Sequence, residues 1–343
     1  MQLFDIKSAF PDEIYNFITG IGESRFRADQ IMSALSQGLS FDEMTTLSKA
    51  LREKLKELCV LPDAVIENKL VSKLDGTIKY LFKFPDGELI ETVLMSYKHG
   101  DSICISTQAG CRMGCAFCAS TKNGLSRNLT AAEMLEQITV AQRDSGRRVS
   151  SIVLMGIGEP LDNYDNVLRF LKLVNNDKNL NIGMRHISLS TCGLVDKINM
   201  LAEEKLQLTL SVSLHAPNDE IRRSIMPIAK KYTIAELIAA CNNYIAKTGR
   251  RISYEYAMID GVNDSIECAN ELASLLKNSL CHLNLIPINP IREKIYNKSA
   301  QNRIYAFTKV IENNKIRVTV RRRLGSDIDA SCGQLRNGKQ DRQ

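Results

Sequence analysis

Three cysteines fall within one short stretch, Cys111-Arg-Met-Gly-Cys115-Ala-Phe-Cys118. A C-x3-C-x2-C run puts three thiolates on one loop, the ligand type that iron–sulfur clusters take. A cube of four irons held by three cysteines leaves one iron open to another ligand. Structural zinc closes instead with four Cys or His ligands. The histidines here are scattered (His99, His186, His215, His282), and no second C-x2-C pair offers a fourth ligand. Of the ten cysteines, Cys104 stands close ahead of the triplet, and Cys332 lies in a Gly-flanked tail, Asp327-Ile-Asp-Ala-Ser-Cys-Gly-Gln-Leu335. Cys59, Cys192, Cys241, Cys268 and Cys281 sit alone among helix or strand residues and read as small buried hydrophobes.

A lone carboxylate and a glycine turn complete the reactive inventory. Glu91, in Leu89-Ile-Glu-Thr-Val93, shares a strand face with Leu89 and Val93. Burial in that apolar row would make it a better proton acceptor, whereas an exposed face would leave it an ordinary surface acid. Met155-Gly-Ile-Gly-Glu-Pro160 is no dinucleotide fingerprint, because Gly-x-Gly is followed by Glu-Pro-Leu. Taken alone it is a turn ahead of a helix.

These residues need elements to position them. Residues 1–62 read as a small helical domain: Leu47, Leu51, Leu55 and Leu58 recur at helical spacing, and Ser40-Phe-Asp-Glu43 has the capping-box pattern of a helix start. Over 63–98, Asp75-Gly76 and Asp86-Gly87 separate strand-like runs at 69–74, 77–84 and 88–95, a short β-meander linker. From 99 to 343, strands expected at 103–107, 151–155, 186–191, 208–215, 252–258 and 283–288 alternate with helices. The clearest of these opens at Thr130-Ala-Ala-Glu133. Such alternation predicts a parallel sheet with crossovers, and a last strand at 316–321 precedes the tail.

The triplet follows the first of these strands, at the C-terminal end where barrel enzymes place their chemistry. In the run 208–215, Leu208, Leu210, Val212 and Leu214 share one face, and Thr209, Ser211, Ser213 and His215 share the other. A closed barrel fills its lumen with branched apolar residues, so a polar inner face on a covered sheet suits an open barrel that holds a ligand. The expected fold class is α/β: a partial (βα)6 barrel with a small helical N-terminal domain, a short β-meander and a C-terminal tail over the barrel mouth.

With 343 residues, 44% hydrophobic and 24% charged, the chain can bury a sizeable core and is not a disordered one. No apolar run approaches the roughly 18–20 residues of a membrane span, and no secretory signal pattern opens the sequence. A cytoplasmic protein without a membrane partner is expected. The net charge of +6 is compatible with phosphate contacts, as are Arg321–Arg323 and the cations Arg25, Arg27, Lys49, Arg52, Lys54 and Lys56 of the helical region.

With C-x3-C-x2-C after the first of six βα units, the chain resembles the radical S-adenosylmethionine (radical SAM) superfamily. The resemblance implies that Cys111, Cys115 and Cys118 hold a [4Fe–4S] cluster. The open iron would chelate SAM, which is then cleaved to a 5′-deoxyadenosyl radical. It also implies SAM contacts from Gly158 and Glu159, the latter accepting from the SAM ammonium, and from Ser190, Ser213, Leu214, His215 and Asn289 at strand ends. Cys104, Cys332, Ile90-Glu-Thr-Val93 and Gly158-Glu-Pro-Leu-Asp-Asn-Tyr164 narrow the resemblance to the RlmN branch of the RNA adenine methyltransferases. The match runs over nearly the whole chain.

That branch implies methylation of C2 of an adenosine in 23S rRNA, and of the adenosine next to certain tRNA anticodons, at two SAM per turnover. Carbon 2 of adenine is electrophilic and cannot attack the SAM methyl directly. What the resemblance implies is a detour in which Cys332, as thiolate, takes a methyl from one SAM. The radical from a second SAM removes a hydrogen atom from it, and the resulting carbon radical adds to C2. Glu91 then removes the C2 proton, and Cys104 attacks the Cys332 sulfur to leave a Cys104–Cys332 disulfide. The helical domain would contact RNA, with the target adenine unstacked. An electron donor such as flavodoxin or ferredoxin and a monomeric state are expected. Two alternatives stay open. One is C8 methylation of the same rRNA adenosine, against which Gly158–Asn163 and Arg321-Arg-Arg-Leu-Gly-Ser326 speak. The other is a non-catalytic iron–sulfur or zinc RNA-binding protein, which would need neither SAM nor Cys332.

Overall fold

Apolar residues three and four apart give each N-terminal helix one face to bury. The computed structural model describes residues 3–289, 296–331 and 333–335. In it, α1 (Pro11–Gly20), α2 (Arg25–Ser36) and α3 (Lys49–Leu58) surround a core of their own that includes Ile14, Ile18, Ile31, Leu35, Leu51 and Leu55. A short parallel pair, β1 (Phe4–Asp5) with β2 (Cys59–Val60), ties the start of this region to its end.

The helix expected to open at Ser40 does not form. Ser40 N and Oγ both donate to Glu43 Oε2, at 2.8 and 2.9 Å, yet the chain continues through turns. Turns suffice there to bury Phe41, Met44 and Leu47. α3 begins instead at Ser48, whose side chain accepts from Leu51 N at 3.2 Å.

One ten-stranded sheet carries the rest. The meander forms its first edge as β3 (Val65–Val71), β4 (Ile78–Lys83) and β5 (Leu89–Tyr97), all antiparallel and continuous with β6 (Gly100–Cys104). A small ribbon of β7 (Gln108–Gly110) and β8 (Leu125–Asn128), which sequence alone did not suggest, then brackets the cysteine loop. From β6 onward the sheet is parallel through β9 (Val149–Leu154), β10 (Ile187–Thr191), β11 (Thr209–Ser213), β12 (Ile252–Met258), β13 (Cys281–Pro287) and β14 (Val318–Val320).

The crossovers are α4 (Ala131–Ser145), α5 (Tyr164–Val174), α6 (Val195–Glu203), α7 (Asp219–Ile225) with α8 (Ile234–Thr248), α9 (Ile266–Leu276) and α10 (Gln301–Asn313). Thr130 starts α4 as expected, its hydroxyl accepting from Glu133 N at 3.2 Å while Glu133 Oε2 accepts from Thr130 N at 2.9 Å. Among the described residues β14 and β3 each pair with one neighbour only, so the curled sheet stays open. This is a partial barrel with six βα units and a helical N-terminal region. β6 lies earlier than expected because Gln137 takes the backbone of Ser106, accepting from its N–H at 2.8 Å and donating to its carbonyl at 2.9 Å.

Candidate active site

Strand alternation points Ser188, Ser190, Ser211, Ser213, Ser253 and Glu255 to the inner face of the sheet. The C-terminal ends of the parallel strands open onto one pocket. Its wall is built from Cys111, Cys115 and Cys118 after β6, 155–160 after β9, Ser190–Cys192, Ser213 and His215 at β10 and β11, Glu255 on β12, Asn289 after β13, Arg321 after β14 and Gly333 from the tail.

Backbone bonds shape the cysteine loop. Cys111 N donates to Gly124 O at 2.8 Å, Ala116 N to Ile225 O at 2.9 Å, and Cys118 N to Cys115 O at 3.2 Å. Burial pushes the Cys111 thiol up to about 12 and Cys115 higher still, and in both cases the neighbouring cysteines add to the rise. Three thiolates can share this desolvated pocket only with a cationic partner, which the irons of a cluster supply. Among the described residues no three His, Cys, Asp or Glu side chains close on the point a single ion needs. A cluster in which each thiolate takes its own iron does not ask for that. The donor set fits a [4Fe–4S] cluster.

Glu159 is buried at the same wall. Its Oε2 accepts from Cys192 N at 2.7 Å and its Oε1 from Leu161 N at 3.0 Å, with the Thr191 and Cys192 side chains as further partners. Burial raises its pKa and these donors oppose the rise. Gly158 makes the approach possible. It has φ +106°, and an added Cβ would lie 2.6 Å from Gln108 Cβ and 2.8 Å from Gln108 N. Only glycine fits.

Ser190, Ser213 and Asn289 line the pocket. His215 does so in left-handed backbone, φ 57°, with its ring edge-on to Phe117 at 4.9 Å. Its Nδ1 accepts from Ala257 N at 2.9 Å, and burial lowers its pKa to about 3, so the imidazole is neutral. The Leu214 side chain is turned by alternation into the hydrophobic core, while its N–H donates to Glu255 O at 3.1 Å and its carbonyl accepts from Arg222 Nε.

Three residues escaped the sequence reading. Cys192 is no mere core filler: it lines the pocket between Glu159 and Cys115. Glu255 is buried on the inner face of β12, accepting from Asn284 Nδ2 at 2.6 Å and Ser253 Oγ at 3.0 Å, with its pKa raised by burial. The alternation of Ser253, Glu255 and Ala257 against Ile252, Tyr254 and Tyr256 was the signal available for it. Arg222 is fully buried on α7, donating from Nη2 to Cys192 O at 2.7 Å and from Nε to Leu214 O at 3.2 Å. Nothing local in the sequence marked it. Its charge acts on Cys115 and Cys192, where it offsets the negative charge that three thiolates bring.

Glu91 and Cys104 lie on neighbouring strands. Cys104 pairs with Val93, two residues from Glu91, and both are buried. Lys79 Nζ sits 3.1 Å from Glu91 Oε1, which offsets the cost of burying that carboxylate, and it donates to Asp329 O at 3.2 Å. The tail closes over this wall. Ala330 and Leu335 pack with Val93, Met95 and Cys104; Ala119 N donates to Gly333 O at 2.9 Å and Ser120 Oγ to Leu335 O at 2.8 Å. Cys332 itself lies outside the described residues.

Known proteins are similar to this chain in sequence and in fold. Residues 105–273 match the Radical SAM superfamily, and residues 3–61 match the ribosomal RNA large subunit methyltransferase N-terminal domain. A probable dual-specificity RNA methyltransferase RlmN of Lachnospira eligens is 53% identical over 339 residues, covering 97% of this chain and 96% of the relative. One of Desulforamulus reducens is 56% identical over 326 residues, covering 94% and 93%. The crystal structure of a radical SAM methyltransferase from Sphaerobacter thermophilus superimposes with a TM-score of 0.93 at 43% identity, covering 97% of this chain and 99% of that one. On that full-length likeness and on a cysteine loop at the mouth of a partial barrel, the chain belongs to the RlmN family of radical SAM RNA methyltransferases.

Proposed function

We propose that the chain methylates C2 of adenosine in 23S rRNA and in tRNA next to the anticodon, with the incoming methyl carried on Cys332. When bound, the [4Fe–4S] cluster and SAM of the superfamily supply the methyl group and the radical that activates it. Cys111, Cys115 and Cys118 hold the cluster, and Glu159 with Gly158, Ser190, Ser213, His215 and Asn289 orients SAM. Cys332 bears the methyl carbon as a thioether until it has joined C2. Glu91 accepts the C2 proton, and Cys104 displaces the product by bonding to the Cys332 sulfur.

The observation that carries this reading is the pairing of Cys104 with Val93, beside Glu91, under a tail whose Gly333 reaches the cysteine pocket. In this reading residues 1–62 contact RNA, 63–98 link, and 99–343 form the barrel with its tail. The chain works as a cytoplasmic monomer reduced by a flavodoxin or ferredoxin. Among the described residues no helix is long and apolar enough to cross a membrane.

The test is anaerobic turnover of the reconstituted enzyme with reductant, methyl-trideuterated SAM and unmodified 23S rRNA or tRNA, followed by nucleoside mass spectrometry. The expected product is 2-methyladenosine that keeps two of the three methyl deuteriums. Product as 8-methyladenosine would overturn the C2 assignment. A trideuterated methyl would overturn the radical route.

A further inference from the structure

Charge and aromatic surface meet at one place outside the cysteine pocket. A second groove is walled by Met95 and Tyr97 at the end of β5 and by Lys298, Arg322, Arg323 and Leu324 beyond β13 and β14. It shares Ile286, Ile288, Asn289 and Arg321 with the cysteine pocket, so the two adjoin. Lys298, Arg322 and Arg323 are exposed, as are Tyr97, Lys98 and His99 in the β5–β6 turn. Tyr97 is 36% exposed, and its ring stacks on His99 with centroids 5.4 Å apart and planes at 19°.

A stacked aromatic pair facing water buries little of itself. Its flat outer face is what an unstacked base covers, with no demand on base identity. Guanidinium and ammonium groups lining the same groove suit phosphates at the same time. Apolar residues line the groove too, among them Ile286, Pro287, Val320 and Leu324, but three exposed cations beside a stacked aromatic pair suit a nucleic-acid strand, which uses both features.

We propose that this groove holds the single-stranded RNA beside the target adenosine, its phosphates on Arg322 and Arg323 and one neighbouring base on the Tyr97–His99 pair. The inference rests on RNA being the substrate. It adds the surface that carries the flanking nucleotides, apart from the helical region, and gives Arg322 and Arg323, whose charge already suited phosphates, a groove shared with an aromatic pair. Laying the strand along a groove that adjoins the pocket leaves the target base free to turn inward.

The experiment measures binding of an unmodified RNA stem-loop to the cluster-loaded enzyme across a salt series, with methylation kinetics alongside. The double variant Arg322→Gln/Arg323→Gln is expected to weaken binding about tenfold and to flatten the log–log salt slope by about 1.4, at about 0.7 per phosphate on a single strand. Its RNA KM rises with little change in kcat. Tyr97→Ala is expected to weaken binding about tenfold with the slope unchanged, because stacking releases no counterions. Arg185→Gln, exposed and outside the groove, serves as the charge control.

Wild-type slopes and affinities in the groove variants, or an equal loss in Arg185→Gln, would overturn the proposal. Slower reduction by flavodoxin with RNA affinity intact would also overturn it, by giving the groove to the electron donor. If wild-type enzyme binds RNA through these residues but makes no 2-methyladenosine, the groove stands and the C2 chemistry falls. If it methylates and the variants bind normally, the reverse holds.

Discussion

At the scale of single residues, burial decides which charges the pocket can carry. His215 and Glu159 face the same cavity and are both desolvated, so each favours its neutral form. For His215 this has a defined sign. Its pKa falls to about 3 in the fold against 6.5 for the free side chain, so the unfolded chain binds the proton first as pH drops. Stability from the neutral ring is present above pH 6.5 and is lost as pH falls toward 3. Glu159 and Glu255, whose pKa values are raised, act in the opposite direction and mask it in the wild type alone. A comparison with His215→Gln cancels them. Between pH 6 and pH 5 the wild type should lose about 1 kcal/mol more than the variant in denaturant titrations. Parallel pH dependence of the two would show that the ring is not held neutral. Lys79 is the other residue with two roles, because one ammonium touches both Glu91 and the Asp329 carbonyl of the tail.

At the scale of elements, two capping motifs of the same type met different fates. Thr130 and Glu133 close a box at the start of a fifteen-residue helix whose face is buried. Ser40 and Glu43 close only half of such a box in front of turns: Ser40 N donates to Glu43 Oε2, but the Ser40 hydroxyl donates to that carboxylate as well, and Glu43 N bonds to the Ser40 carbonyl. A cap stabilises only the helix that follows it, so Thr130→Ala should cost about 1 kcal/mol and Ser40→Ala less than about 0.5 kcal/mol. Chemical denaturation of the two variants measures both, and equal losses would contradict the distinction. Strand ends depend on a different device. Arg222 gathers the carbonyls of Cys192, Ser213 and Leu214, so one side chain on α7 holds together the ends of β10 and β11.

At the scale of the whole molecule, the helical region is joined to the barrel through charge as well as apolar packing. Lys7, buried, forms an ion pair with Glu136 of α4 and donates to Thr139 Oγ1 at 3.0 Å. Arg169 of α5 meets Glu13 of α1 at 2.8 Å. Removing one partner of a buried pair leaves an uncompensated charge, so Lys7→Met should destabilise by about 3–5 kcal/mol. The loss should appear first in the helical region, seen as separate denaturation midpoints for probes placed in it and in the barrel. A single unshifted transition would mean that the pair contributes nothing to the join.

Spacing within a few residues was enough to read the cysteine triplet, the βα alternation, the meander and the polar inner face of β11. Backbone geometry sets these locally: a loop brings nearby thiols together, and a strand alternates its side chains. The tertiary structure alone decided which strand ends share a rim. Cys192 reads as core filler until sheet order puts β10 beside β9, and Glu255 reads as one acid among many until β12 turns it inward. Leu214, expected at the ligand, faces the core because alternation allows only every second residue to reach the lumen. The Tyr97–Arg322 groove joins residues more than two hundred positions apart. Contacts of that kind come from register and sheet curvature, which no local pattern encodes.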